Sequence, residues 1–152
     1  MKPKVAFLTT IFPMERKYIF DFFESLSRQT YTYFDVIVVN DGYEGLSEII
    51  KKYQNLRIVE IRCQQSPSKN REFGIRFTQS NGYDIVIFGD SDDFFSENRV
   101  GYSVDLLKNY DIVVNDLTLI EDSQVVQEKY ISQRINSGSE ISSTFIEDKN
   151  IF

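Results

Sequence analysis

From Lys4 to Phe12 the chain reads KVAFLTTIF, an apolar run too short for a helix and closed by hydroxyls, which predicts a buried strand. After Pro13, MERKYIFDFFESLSRQT spaces Ile19, Phe22, Phe23 and Leu26 at i, i+3, i+4 and i+7, one face of an amphipathic helix. YFDVIVVNDG, continuously apolar from Val36 to Val39, predicts a second strand, LSEIIKKY a short helix and LRIVEIR a third strand. Pro67 and the serines of CQQSPSKN predict a loop, with a helix over REFGIRFTQ. YDIVIFGD is expected to be a fourth strand and SENRVGYSVDLLKNY a helix starting near a capping Ser96, with Glu97 in its first turn. DIVVNDLTLI predicts a fifth strand and SQVVQEKYIS a sixth. Strands apolar on both faces and alternating with helices imply an α/β fold, a mostly parallel sheet with helices on both faces.

Composition narrows the function classes. The 152 residues suffice for one domain with a substantial core, and 41% apolar residues with only seven glycines and three prolines exclude disorder and low complexity. A formal charge of −6 argues against a phosphate-backbone binder, so no nucleic-acid partner is expected. With no histidine, the commonest neutral-pH base and zinc ligand are missing, and any chemistry must run on carboxylates, hydroxyls or bound metal. The single cysteine, Cys63, excludes an internal disulfide and suits a reducing compartment. No stretch has the length of a membrane span or the pattern of a signal peptide, so a cytoplasmic location, or one at the inner face of the membrane, is expected.

In a sheet of this kind the ligand crevice lies beyond the carboxyl ends of the strands. Three segments deliver polar groups there: Thr9 and Thr10, Asn40 and Asp41, and Asp90, Asp92 and Asp93. Carboxylates one residue apart at a strand end suit Mg2+ or Mn2+ shared with ligand phosphates; equally, they suit a solvated acidic turn with Asp93 or Ser96 capping the next helix. Asp41 fits either a base-binding carboxylate or an Asn-Asp-Gly turn. Arg71, with Lys69 nearby, suits a diphosphate at a helix start, or plain solvation.

In this order and spacing, residues 4–120 resemble the nucleotide-binding half of family two glycosyltransferases with the Rossmann-like GT-A fold. ESLSRQTYTYFDVIVVNDG is similar to that family's Ser-Leu-x-x-Gln-Thr-Tyr and Val-Asp-Asp-Gly-Ser stretch, NREFGI to its Ala-Arg-Asn-x-Gly-Ile, and DIVIFGDSDD to its strand-four Asp-x-Asp-Asp. The resemblance implies a UDP-sugar donor bound with Mn2+ or Mg2+, and inverting transfer to a hydroxyl of a saccharide or lipid-linked acceptor, as in surface glycan assembly. It also implies that Asp41 contacts the base, Arg71 lies near the diphosphate, Asp90 approaches the ribose and Asp92, with Asp90, holds the metal; Thr9 and Thr10 join the donor site. Asn40, Tyr43 and Glu72 depart from the family pattern, which has Asp, Ser and Asn there.

The family's catalytic base lies in the acceptor half, and no residue here is assigned to it; Glu147 and Asp148 stand near where that half would begin. Residues 121–152 are accordingly read as the start of a truncated acceptor-side region. A nucleotidyltransferase would carry a glycine-rich, cationic loop after the first strand, where TTIFPMERK has no glycine, and a receiver domain would need acids there. A catalytically inactive nucleotide-sugar-binding or scaffold domain is the non-enzymatic alternative.

Overall fold

The computed structural model describes residues 2–121, 124–129 and 131. Four strands, β1 (Val5–Ile11), β2 (Phe34–Asn40), β3 (Arg57–Arg62) and β4 (Ile85–Phe88), form one sheet in the order β3-β2-β1-β4, every pair parallel. The order runs outward from β1 to β3 and then jumps to the other side of β1 for β4, so the strand sequence reverses between β1 and β4. Sheets of this kind open their ligand crevice at that reversal.

Alternation along the strands fills two cores. Val5, Phe7 and Ile11 of β1 join Val36 and Val38 of β2 against α1 (Arg16–Ser27), α2 (Leu46–Ile50) and α4 (Arg99–Leu106). Ala6, Leu8, Ile37 and Val39 point the other way, against α3 (Pro67–Ser80). The predicted face of α1 is buried as expected: Ile19, Phe22 and Phe23 are fully buried and Leu26 is 1% exposed. Each such side chain contributes about 2 kcal/mol of burial, which outweighs the helix's lack of a capping side chain.

Two junctions bear on the site. Gly74 of α3 has no room for a side chain, since a Cβ would lie 2.7 Å from Leu8 Cδ1 and 3.0 Å from Val39 Cγ2. This close approach sets the first turn of α3, with Arg71, at the carboxyl edge of the sheet. At the end of α1, Gln29 is 4% exposed; its Nε2 donates to the carbonyls of Ser25 and Ser96, and its Oε1 accepts the Val100 N–H at 2.9 Å. The Thr30 N–H donates to the Glu97 carbonyl. The Gln-Thr pair thus ties α1 to the start of α4.

Three local expectations change. The loop expected through Asn70 ends earlier, because α3 begins at Pro67: at the first helical position proline's missing N–H costs nothing and its fixed φ favours the helix. Ser96 does not cap α4; its hydroxyl contacts Asn98, α4 starts at Arg99, and Gln29 provides the cap. The expected fifth strand over 111–120 is a strand only from Leu119: β5 (Leu119–Glu121) pairs antiparallel with β6 (Gln124–Gln127) in a separate two-stranded sheet. Ile112 and Val114 are 41% and 57% exposed, so this brief apolar run lacks the cover that a central parallel strand requires.

The chain divides into two compact units, Met1–Asp105 and Leu106–Phe152. The parallel sheet belongs to the first. In the second, Asp116 Oδ1 accepts the N–H groups of Leu117 and Ile131. Glu147 and Asp148, and most of the expected acceptor-side region, lie outside the described residues. No helix among the described residues is long and apolar enough to cross a membrane.

Candidate donor-binding site

A cavity of about 360 Å3 opens at the carboxyl edge of the sheet, lined by Thr10, Phe12, Asp41, Pro67, Arg71, Asp90, Ser91 and Asp92. Five of the six expected donor-site residues meet here. Thr9, the sixth, is 2% exposed and borders instead a crevice of about 10 Å3 shared with Thr10 and Arg71; its hydroxyl has no hydrogen-bond partner.

Strand ends and tight turns aim these groups. The Asp41 N–H donates to the Ile11 carbonyl at 2.7 Å, fixing the end of β2 beside β1. After β4, the Gly89 N–H donates to the Leu8 carbonyl, and buried Ser91 donates its hydroxyl to the Thr10 carbonyl at 2.8 Å. A turn closed by the Asp93 N–H on the Asp90 carbonyl then gathers the acids. In the first turn of α3, Asn70 is fully buried; its Oδ1 accepts the Gln65 N–H and its Nδ2 donates to the Gln65 carbonyl, tying the chain ahead of the helix to the residue next to Arg71.

The site's electrostatics are unbalanced. Arg71 Nη2 pairs with Asp90 Oδ1 at 3.1 Å, but the two side chains are 54% and 66% exposed, so solvent screens the pair and a ligand phosphate can compete for the guanidinium. Asp92 is exposed and makes no ion pair among the described residues. Asp93 is accessible as a residue, yet its carboxyl lies close enough to the protein to lose hydration. That desolvation, followed by the charges of Asp90 and Asp92, pushes its pKa up from 3.8 to about 6.

The folded chain therefore binds this proton more tightly than the unfolded chain. The stabilisation is complete below about pH 3.8 and lost as pH rises through about 6. Asp93→Asn is expected to melt roughly 2 °C higher than wild type at pH 7.5, a screened and therefore small gain, and level with it at pH 4. Thermal melts across that range check it, and identical melting at both pH values would contradict it.

No group of three or more acidic or cysteine side chains converges as a ready metal cage among the described residues. Mg2+ and Mn2+ do not require one, since they take one or two carboxylates and complete their shell with phosphate oxygens and water. Asp90 and Asp92 are hard oxygen donors beside a cavity that also holds a cation for phosphate, so the residues present fit such an ion.

Three participants escaped the sequence reading. Phe12 is 47% exposed on the cavity wall, opposite in kind to the buried aromatics around it; nothing in a chain of thirteen phenylalanines singles it out. Ser91 acts through a contact with the Thr10 carbonyl, far away in the chain, that no local pattern announces, and Asn70 through bonds to Gln65 in a stretch whose composition reads as a loop. A larger cavity, about 470 Å3, lies beside the β2–α2 turn, bordered by Asn40, Glu60 and Arg62, and it lacks the strand-end acids.

A family model for Glycosyl transferase family 2 matches residues 10–151. The chain belongs to this family. It is 29% identical over 119 residues to an uncharacterized glycosyltransferase of Rickettsia bellii, a match covering 76% of this chain and 16% of the relative. It is 26% identical over 97 residues to the uncharacterized glycosyltransferase YwdF of Bacillus subtilis, covering 64% and 36%. The family 2 chain thus spans well under half the length of these relatives. Among solved structures it resembles S. aureus TarS 1–349 in complex with UDP, with a TM-score of 0.58 and 24% identity over 69% of this chain and 32% of that one. The complex of the same protein with UDP-GlcNAc gives a TM-score of 0.58 at 23% identity, covering 69% and 31%. The fold is the α/β fold of GT-A glycosyltransferases, as the resemblance implied.

Proposed function

We propose that this chain forms the donor-binding part of an inverting glycosyltransferase that takes a UDP-sugar with Mn2+ or Mg2+ and passes the sugar to a hydroxyl of a saccharide or lipid-linked acceptor. The observation that carries the reading is the convergence on one 360 Å3 cavity of Asp41, Arg71, Asp90 and Asp92, delivered from two separate strand ends and a helix start. UDP in particular is favoured by TarS, whose structures hold UDP and UDP-GlcNAc on the same fold. A cytoplasmic location, or one at the inner membrane face, accords with that reading.

In this assignment the exposed ring of Phe12 offers a face on which the base stacks, and Asp41 accepts a hydrogen bond from a base N–H. Arg71 leaves its solvent-screened pair with Asp90 to bind diphosphate oxygens. Asp90 reaches toward the ribose, and Asp90 and Asp92 hold the divalent cation, which when bound neutralises charge on the departing nucleoside diphosphate. Thr10 narrows the cavity floor at the end of β1. The base that deprotonates the acceptor hydroxyl is assigned to none of these residues.

Calorimetric titration of the purified protein with UDP and with GDP, each with and without Mn2+, tests the reading. UDP is expected to bind in a cation-dependent manner and more tightly than GDP. Absence of binding by either nucleotide, with or without Mn2+, overturns it.

A further inference from the structure

We infer that Asn40 is a positioning residue for Asp41, and that Glu60 on the neighbouring strand requires an amide rather than a carboxylate at that place. The inference rests on the assignment of Asp41 to the donor base. Asn40 ends β2, directly before Asp41, and is 3% exposed. Its Oδ1 accepts the Tyr43 N–H at 2.7 Å, while its Nδ2 donates to the Tyr43 carbonyl at 3.0 Å and to Glu60 Oε1 at 2.8 Å. Both amide hydrogens are used, and both backbone polar groups of Tyr43 are held by one side chain.

The turn that carries Asp41 is therefore closed from beneath. Gly42 passes through it at φ 85°, a left-handed value that suits glycine, and the Asp41 N–H is bound to Ile11. Asp41 is thus fixed on both flanks, and the side chain that fixes the far flank is Asn40.

A carboxylate at position 40 has no hydrogen to donate. It would face the Tyr43 carbonyl and the Glu60 carboxylate, two acceptors, at hydrogen-bond distance in a nearly dry position. Glu60 is 20% exposed at its side chain, and its ion-pair partner, Arg62 at 3.3 Å, is 83% exposed and solvent-screened, too weak to absorb a second negative charge. The other titratable groups on the same cavity wall are Tyr43, Glu44 and Cys63, none of them a cation. This accounts for asparagine where the family pattern has aspartate: Asn40 and Glu60 form a matched donor and acceptor.

The test compares wild type, Asn40→Asp, Glu60→Gln and the double variant by calorimetry, using UDP and inorganic pyrophosphate, each with Mn2+. Asn40→Asp is expected to weaken UDP about tenfold while pyrophosphate, which has no base to meet Asp41, changes less than about twofold. Adding Glu60→Gln, which returns an amide donor to the pair, is expected to restore UDP to within about twofold of wild type. Unchanged UDP affinity in Asn40→Asp overturns the inference, as does an equal loss for UDP and pyrophosphate. If Asn40→Asp does not fold, the double variant decides: folding with wild-type UDP affinity supports the pairing, and failure of either overturns it. A wild type that binds no UDP overturns the donor assignment and this inference with it, whereas UDP binding indifferent to position 40 overturns this inference alone.

Discussion

Asp92→Ala is expected to weaken cation-dependent UDP binding by a factor of about a hundred or more while leaving the melting temperature within about 1 °C of wild type. The two halves of this expectation have different origins. Asp92 is exposed and makes no ion pair among the described residues, so its removal deprives the fold of no contact. It also relieves repulsion on Asp93, which is felt there as an upward push on its pKa. For the ligand the expected loss is large, because the proposed cation site has two carboxylates and one of them, Asp90, is already shared with Arg71. Calorimetry with UDP, with and without Mn2+, reads the first half and thermal melts the second. Wild-type affinity in Asp92→Ala would reduce the acids to a solvated turn and leave Asp41 and Arg71 to carry nucleotide recognition.

Gly89→Ala is expected to cost about 2 kcal/mol of stability, lowering the melting temperature by roughly 5 °C or more, and to weaken UDP binding as well. A Cβ at this position would come within 2.6 Å of Phe7 Cε1 and Cζ and of Phe95 Cζ. Phe7 is fully buried, with ring centroids 4.9 Å from Phe95 and 6.0 Å from Phe22, so no ring can retreat without disturbing the others. The backbone has little freedom to move instead, since the Gly89 N–H is bound to Leu8 and Ser91 is bound to Thr10. Whatever shift occurs is passed to Asp90, the next residue. Melting and UDP affinity measured on the same sample check both effects; an unaltered melting temperature would mean that the aromatic cluster yields more easily than this geometry implies.

Legibility in the sequence followed the range of the interactions. The buried face of α1 could be read because its period is local, and the strand ends because apolar runs stop abruptly at Thr10, Asn40 and Asp90. The start of α3 is not legible because Pro67 carries two meanings, loop breaker and first helical residue, and the serines around it favour the first. The run at 112–114 has strand composition, yet composition does not reveal whether anything covers it. The contact of Asn40 with Glu60 spans 20 residues, and depends on the register that sets β2 beside β3. A lone sequence shows both side chains and not their meeting, so Asn40 stood out only as a departure from a family pattern.

The acidic turn is tethered on both sides, by Ser91 to the Thr10 carbonyl and, a few residues on, by Gln29 and Thr30 to Ser96, Glu97 and Val100. Its carboxylates therefore stand near one another because the fold holds them there, against their mutual repulsion. On the proposed donor assignment, a dication arriving with its nucleotide would have correspondingly less ordering to impose than on a free loop, and would relieve a repulsion already built in. Part of the affinity for donor would, on that assignment, be stored during folding, in hydrogen bonds already made before any ligand arrives.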